Sequence, residues 1–194
     1  MSKWFYLFAL LCFSAHSQGN FLYDQQSSTD ETPYPNGAGP TIQQLVSPYG
    51  QSFTPTLSAI DFIRLNLNDR NPNNGLGASL FVNLRTNSIG GPVLSSTATV
   101  TLADGFTGVV NFAFLFSVTL SPGTVYYFEP VVQSGDQWNV IAGEYYYPDG
   151  TAFYQGLALS GSDYWFREGI VVPEPSSSLL VLVGSGVLDR KSVV

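Results

Sequence analysis

The sequence predicts an all-β protein folded as a single antiparallel β-sandwich of the jelly-roll kind. Three observations predict it. Apolar residues recur at every second position through most of the chain, no window sustains a 3.6-residue period with caps, and turn signals fall roughly 10–15 residues apart. Composition agrees. The 194 residues allow one ordinary domain and little more. Hydrophobic residues are 44% and charged residues 11%, which excludes a disordered acidic chain and a coiled coil. Aromatic residues at 14%, with 19 Gly and 12 Pro, suit strands joined by tight turns.

The elements follow in order. A strand is expected over Phe21 to Gln25, then a long Pro-rich surface loop from Asp30 to Pro48, then a strand at Gln51-Ser52-Phe53. Ile63, Leu65 and Leu67 share one face, opposite Arg64, Asn66 and Asn68. Leu80, Val82 and Leu84 alternate with Phe81, Asn83 and Arg85. Thr97 to Leu102 and Thr124 to Val132 are rich in β formers. Phe112, Phe114 and Phe116 alternate with Asn111, Ala113 and Leu115, and Tyr164 and Phe166 oppose Trp165 and Arg167. Between them lie turn clusters: Asn68 to Gly75, Gly90 to Pro92, Ala103 to Gly105, Ser121 to Gly123, Ser134 to Asp136, Pro148 to Gly150 and Gly161 to Asp163.

The first residues read as an export signal. After Met-Ser-Lys, Trp4 to Phe13 carry no charge, and small residues follow at Ala15 and Ser17. This is the layout of a secretory signal peptide over residues 1–17, cleaved after Ser17. Ten apolar residues reach only ~15 Å as a helix, against a hydrocarbon core of ~30 Å, so the segment is too short to anchor. Cleavage removes Cys12 and His16, the only Cys and the only His. The mature domain, residues 18–172, then forms no disulfide. A Ser-His-Asp triad, a Cys nucleophile and a Cys/His zinc site are excluded with those residues. Residues 18–172 keep twelve acids and four arginines, a formal charge of −8. That balance excludes a sequence-independent grip on nucleic-acid phosphates.

The other end reads Val172-Pro173-Glu174-Pro175, a Ser run, an apolar stretch Leu179 to Leu188, and the basic pair Arg190-Lys191. Residues 173–194 resemble the PEP-CTERM protein-sorting signal. The resemblance implies a Gram-negative exported protein, passed from the secretion machinery to an exosortase, a membrane-embedded sorting protease. Pro173, Glu174, Pro175, Arg190 and Lys191 would carry that processing. The family usually accompanies exopolysaccharide genes. The expected place is therefore the cell surface or the extracellular space, with an inner-membrane intermediate held through a short C-terminal apolar helix. Ser176 to Leu188 reaches only ~20 Å as a helix and is interrupted by Gly184-Ser185-Gly186, so the tail either anchors transiently or is a degenerate copy.

The body has a resemblance of its own. Gln51-Ser52-Phe53-Thr54-Pro55, Gly91 to Thr97, Val118 to Tyr126 and Asp163 to Glu168 stand in an order that resembles secreted bacterial jelly-roll domains of the galactose-binding-like type. That resemblance implies carbohydrate binding as the commonest role of the wider fold group. It transfers no functional residue.

The residues themselves permit three kinds of chemistry. Sugar binding needs exposed rings beside hydrogen-bonding groups, and Trp138, Tyr146, Asp149, Asp163, Trp165 and Arg167 are the candidates. In Tyr145-Tyr146-Tyr147 a period of two sets Tyr146 opposite its neighbours, so at least one ring faces outward. Calcium takes hard oxygen ligands, and Asp69, Asn71 and Asn73 alternate along a polar loop. The same residues build any tight turn, so a structural calcium is the only cofactor the sequence raises. Glycoside hydrolysis needs two carboxyls about 5–9.5 Å apart, drawn here from Glu129, Glu144, Asp163 and Glu168. The expectation is a non-catalytic protein with a structural or adhesive role in an extracellular polysaccharide matrix. A glycan-binding module is the main alternative, and a carboxylate-based glycosidase a distant third.

Overall fold

A computed structural model describes residues 20–32, 41–42 and 48–173. Phe21–Val171 forms one compact unit. Asn20, Val172 and Pro173 belong to a second unit whose other residues lie outside the described set. The expected signal peptide and C-terminal helix, and with them Ser17, Glu174, Pro175, Arg190 and Lys191, also lie outside it; Pro173 is exposed.

Among the described residues the chain is all strand and turn, with no helix. In order the strands are β1 (Asn20–Gln26), β2 (Thr41–Ile42), β3 (Gly50–Phe53), β4 (Ala59–Asp69) and β5 (Ala78–Thr86). Then come β6 (Val93–Ser96), β7 (Val100–Leu102), β8 (Thr107–Thr119), β9 (Tyr126–Gly135) and β10 (Trp138–Val140). The last are β11 (Ala142–Gly143), β12 (Ala152–Tyr154), β13 (Leu157–Leu159), β14 (Asp163–Tyr164) and β15 (Phe166–Val172). A six-stranded sheet runs β1-β15-β4-β10-β2, with β8 on the other side of β4. A seven-stranded sheet runs β13-β12-β3-β9-β5-β6, with β7 also on β5. A short third sheet pairs β11 with β14. The main chain alternates between the two large sheets: β3 lies in the second, β4 in the first, β5 in the second, β8 in the first and β9 in the second.

The two large sheets are antiparallel and share one core, an arrangement consistent with a β-sandwich. The β5 sequence shows why. Ala78, Leu80, Val82 and Leu84 are buried in strict alternation with Ser79, Phe81, Asn83 and Arg85, because successive side chains leave a strand on opposite faces. From β4, Ile60, Ile63, Leu65 and Leu67 meet them in the same core. Phe128 of β9 and Phe166 of β15 join the sheets, with ring centroids 5.3 Å apart. Burying each such ring contributes on the order of 1.5–3 kcal/mol. Between β6 and β7, Thr97 ties the two sheets together. Its N–H donates to Val82 O at 2.9 Å, its hydroxyl accepts Val82 N–H at 2.9 Å, and Ala98 N–H donates to Ala113 O of β8 at 2.8 Å.

Three features depart from the sequence pattern. First, β4 is buried on both faces over much of its length: Phe62, Asn66 and Asn68 are buried as well as Leu65. The segment after β1 lies over its outer face. Asn66 Nδ2 donates to Thr32 O at 3.3 Å, and Trp165 Nε1 donates to Asp30 O at 2.6 Å. Second, the Asp30–Pro48 stretch is not unbroken loop, because Thr41–Ile42 pairs with β10 and Ile42 enters the core. Third, the alternation of Phe112 and Phe114 stops before Phe116. The register moves from Ile60↔Val118 to Phe62↔Ala113, so β4 offers only Asp61 opposite Phe114 to Ser117. The surplus arches outward, and Leu115 and Phe116 are each 78% exposed.

Close approach of β1 to β15 depends on Gly169. A Cβ there would sit 2.0 Å from Leu22 O, inside any real contact distance.

Candidate functional site

The turn after β11 carries Glu144 to Tyr147, and it forms one wall of an open groove of about 520 Å³. Gly150, Thr151, Gly161, Ser162 and Asp163 form the other. The groove is held from both sides. Tyr147 points inward: its hydroxyl donates to Gln25 Oε1 at 3.1 Å and accepts Thr54 N–H at 3.1 Å, and its ring meets Phe166 edge-on at 5.1 Å. Burial drives its phenol well above the ordinary range. Gly150 lets the turn lie against β3, since a Cβ would come within 2.0 Å of Ser52 O. Ser52 and Thr151 exchange backbone and hydroxyl bonds at 2.9 Å beside it.

Asp163 is a strut of this frame. Gln51 Nε2 donates to its Oδ1 at 2.8 Å, and Tyr147 N–H donates to its Oδ2 at 3.0 Å. Gln51 Oε1 in turn accepts Tyr164 N–H at 3.0 Å. These groups are buried, so each unmade bond would cost about 1–3 kcal/mol. Against them Tyr146 stands out at 86% exposure. Its neighbours Glu144 and Ser162 line the groove, and among the described residues neither side chain has a hydrogen-bond partner.

Of the six residues expected to bind sugar, the groove brings together Tyr146 and Asp163 only. Asp149 is exposed on the adjoining turn, its carbonyl accepting the Thr54 hydroxyl at 3.0 Å. Trp138 and Trp165 are corrections: both are fully buried, and neither presents a ring face to solvent. Trp138 packs near Phe106, and Trp165 is sealed by the segment carrying Asp30. Arg167 is a correction of another kind. It pairs with Glu31 at 2.5 Å, donates to Gln26 Oε1 at 2.8 Å and lies 3.6 Å over the Tyr23 ring. Arg64 sits directly opposite it in the β4–β15 register and pairs with the same Glu31 at 3.0 Å. One acid thereby bridges two arginines and offsets part of their repulsion across the ladder. The local sequence sets Arg167 beside Asp163 and Glu168, and nothing near it marks Glu31 as its partner.

The expected calcium residues form a braced turn. Asp69 Oδ1 accepts Asn71 N–H at 2.8 Å and its Oδ2 accepts Gly105 N–H at 2.8 Å. Asn73, at a φ of 70°, donates its N–H to Asp104 Oδ1 at 2.8 Å. The Asn71 amide donates to Asp136 at 3.2 Å. Among the described residues no group of three or more His, Cys, Asp or Glu is placed to hold a metal ion. Because backbone N–H groups already occupy both Asp69 oxygens, chelation with EDTA is expected to leave the thermal midpoint unchanged in calorimetry, and a midpoint that climbs with added Ca²⁺ would overturn this reading of the turn.

The four carboxyls weighed for hydrolysis do not converge. Glu129 is buried against Arg85 at 2.6 Å, with Asn83 Nδ2 at 3.2 Å. Glu168 is buried on β15, its Oε1 accepting Gln25 N–H at 3.1 Å. Its pKa is pushed up to about 9, first by burial and then by the negative charge of Asp24. Only Glu144 and Asp163 share a space, and both oxygens of Asp163 are occupied.

No family model matches the chain, and neither a curated protein nor a solved structure is significantly similar to it.

Proposed function

We propose that this chain is an exported, surface-sorted protein with a non-catalytic, structural or adhesive role in the extracellular polysaccharide matrix of a Gram-negative bacterium. The two ends support the address: a basic, apolar, small-residue opening, and a Pro-Glu-Pro tail that resembles the PEP-CTERM signal. Its partners on that route are the secretion machinery and an exosortase-like protease, with membrane contact through the tail. Alternation of successive strands between two sheets over one core supports a jelly-roll, galactose-binding-like body.

One observation carries the non-catalytic part. Hydrolysis of a glycosidic bond needs two available carboxyls facing one space. Here Glu129 is paired with Arg85, Asp163 braces Gln51 and Tyr147, and Glu168 is sealed inside, so Glu144 meets no free second carboxyl in the groove. A second reading, a glycan-binding module, draws its support from the exposed ring of Tyr146 beside that groove.

The intact mass of the protein in each fraction of its native host tests the address. A species that starts at Gln18, ends near Pro173 to Ser178 and stays with the washed surface or matrix is the expected result. Full-length chain in the cytoplasm would overturn it, and an uncut C-terminus in the soluble exported fraction would overturn the sorting step.

A further inference from the structure

We propose that the groove beside Tyr146 is a binding site for an uncharged polysaccharide, with one pyranose ring stacked on Tyr146 and its hydroxyls turned to Glu144 and Ser162. This rests on the glycan-binding reading above and adds the site and the charge class of its ligand.

Three observations carry it. The ring is exposed on an anchored stretch of backbone. Tyr146 is 86% exposed, yet the next residue is fixed through its backbone to Asp163 and through its hydroxyl to Gln25 and Thr54. An aromatic side chain has only two torsions to lose when a sugar packs on it, and an anchored backbone adds none, which is what makes a weak stacking contact count. The groove is also of a size to take a small oligosaccharide, since ~300–1,000 Å³ is usual for small-ligand sites and this one offers about 520 Å³. Its free polar groups, the Glu144 carboxylate and the Ser162 hydroxyl, accept and donate to sugar hydroxyls.

Charge sets the ligand class. Among the described residues no basic side chain lines the groove. Arg64 and Arg167 are paired with Glu31, Arg85 with Glu129, and Arg70 has interactions of its own. A uronate or sulfated chain would meet Glu144 with no compensating cation, on a protein of formal charge −7. Like charges left unpaired in a binding site disfavour the complex. An uncharged glucan or mannan meets no such barrier.

The test is affinity electrophoresis of the purified full chain in gels cast with hydroxyethylcellulose, galactomannan or alginate. Retardation by at least one neutral polymer and none by alginate is expected. Tyr146→Ala should weaken it about threefold to tenfold, the worth of one aromatic contact, while Tyr146→Phe retains it. Tyr154→Ala, at an exposed ring outside the groove lining, should leave it unchanged. Because Tyr146 is exposed, its loss leaves the fold intact, which circular dichroism checks. Neutral binding that survives Tyr146→Ala overturns this site and leaves a glycan binder. Alginate binding equal to neutral binding overturns the charge class. No retardation by any polymer overturns the site and the glycan-binding reading together, and leaves the sorting reading to its own mass measurement.

Discussion

Glu168→Gln is expected to stabilise the protein near neutral pH and to flatten the pH dependence of its stability. Glu168 points inward from β15 with no exposed surface. Oε1 accepts one backbone N–H from Gln25, and Oε2 has no hydrogen-bond partner. The nearby Asp24 carboxylate is held in place by the N–H groups of Thr56 and Leu57 at 2.8 and 2.9 Å, and its charge opposes a second one. The folded protein therefore keeps Glu168 protonated up to about pH 9, whereas the unfolded chain releases that proton near 4.5. Below 4.5 both states hold the proton and the group is neutral to stability. Between 4.5 and 9 only the folded state binds it, so stability falls as pH rises, by about 1.4 kcal/mol for each unit. Above 9 the loss is complete. Glutamine keeps the acceptor for Gln25 and has no proton to lose. The gain at pH 7 is on the order of 1–3 kcal/mol, since the added amide donor offsets part of it. Urea midpoints at pH 5, 7 and 9 measure the effect: the native curve should fall and the variant curve stay level. Parallel curves would mean that Glu168 is ionised in the fold.

The Arg85–Glu129 pair is the second large effect, with the opposite sign. It spans β5 and β9, where Arg85 stands beside Asn83↔Glu129 in the register. Arg85 Nε and Nη2 donate to one Glu129 oxygen at 2.9 and 2.6 Å, Asn83 Nδ2 adds 3.2 Å, and Arg85 Nη1 donates to Gly91 O at 2.6 Å. The Glu129 side chain is only 4% exposed, so water poorly replaces a partner lost there, whereas Arg85 at 18% keeps some access to water. Removing Arg85 leaves an uncompensated buried carboxylate, so Arg85→Met should cost about 3–5 kcal/mol, and Glu129→Leu less, because the half-buried guanidinium can turn to water. For a domain of this size the Arg85→Met loss lowers the thermal midpoint by roughly 6–20 °C. The double variant should lose much less than the sum, because it leaves no orphan charge. Calorimetry of the four proteins closes the cycle. Additive losses below about 1 kcal/mol each would show a pair that behaves as a solvated one. The bond to Gly91 also ties the turn before β6 to the sheet, so hydrogen exchange should speed up there in Arg85→Met.

Strand identity and the inward face were legible wherever one face packs and the other is wet. β5 is the clearest instance, because period 2 alone separates Leu80, Val82 and Leu84 from Phe81, Asn83 and Arg85. The tight turns were legible for a similar reason, since Asn, Asp, Gly and Pro act on their own backbone. The candidate groove was legible in two of the expected residues, Tyr146 and Asp163. Tyr146 alternates with Tyr147, although its exposure comes from an irregular segment and not from a strand. What escaped the sequence shares one physical cause: partners distant along the chain. Trp165 has the pattern of an outward ring, but residues 27–32 fold over it, and Glu31 reaches Arg167 across 136 positions. Phe116 keeps a perfect alternation that the partner strand does not match, with only Asp61 to set against four residues. Composition and local period thus decided that this chain is a turn-linked, antiparallel all-β protein without Cys or His chemistry in its body. Which acids pair, which rings stay dry and which tyrosine stands exposed at an open groove were decided by tertiary contact, because burial and charge pairing depend on neighbours that no local pattern contains.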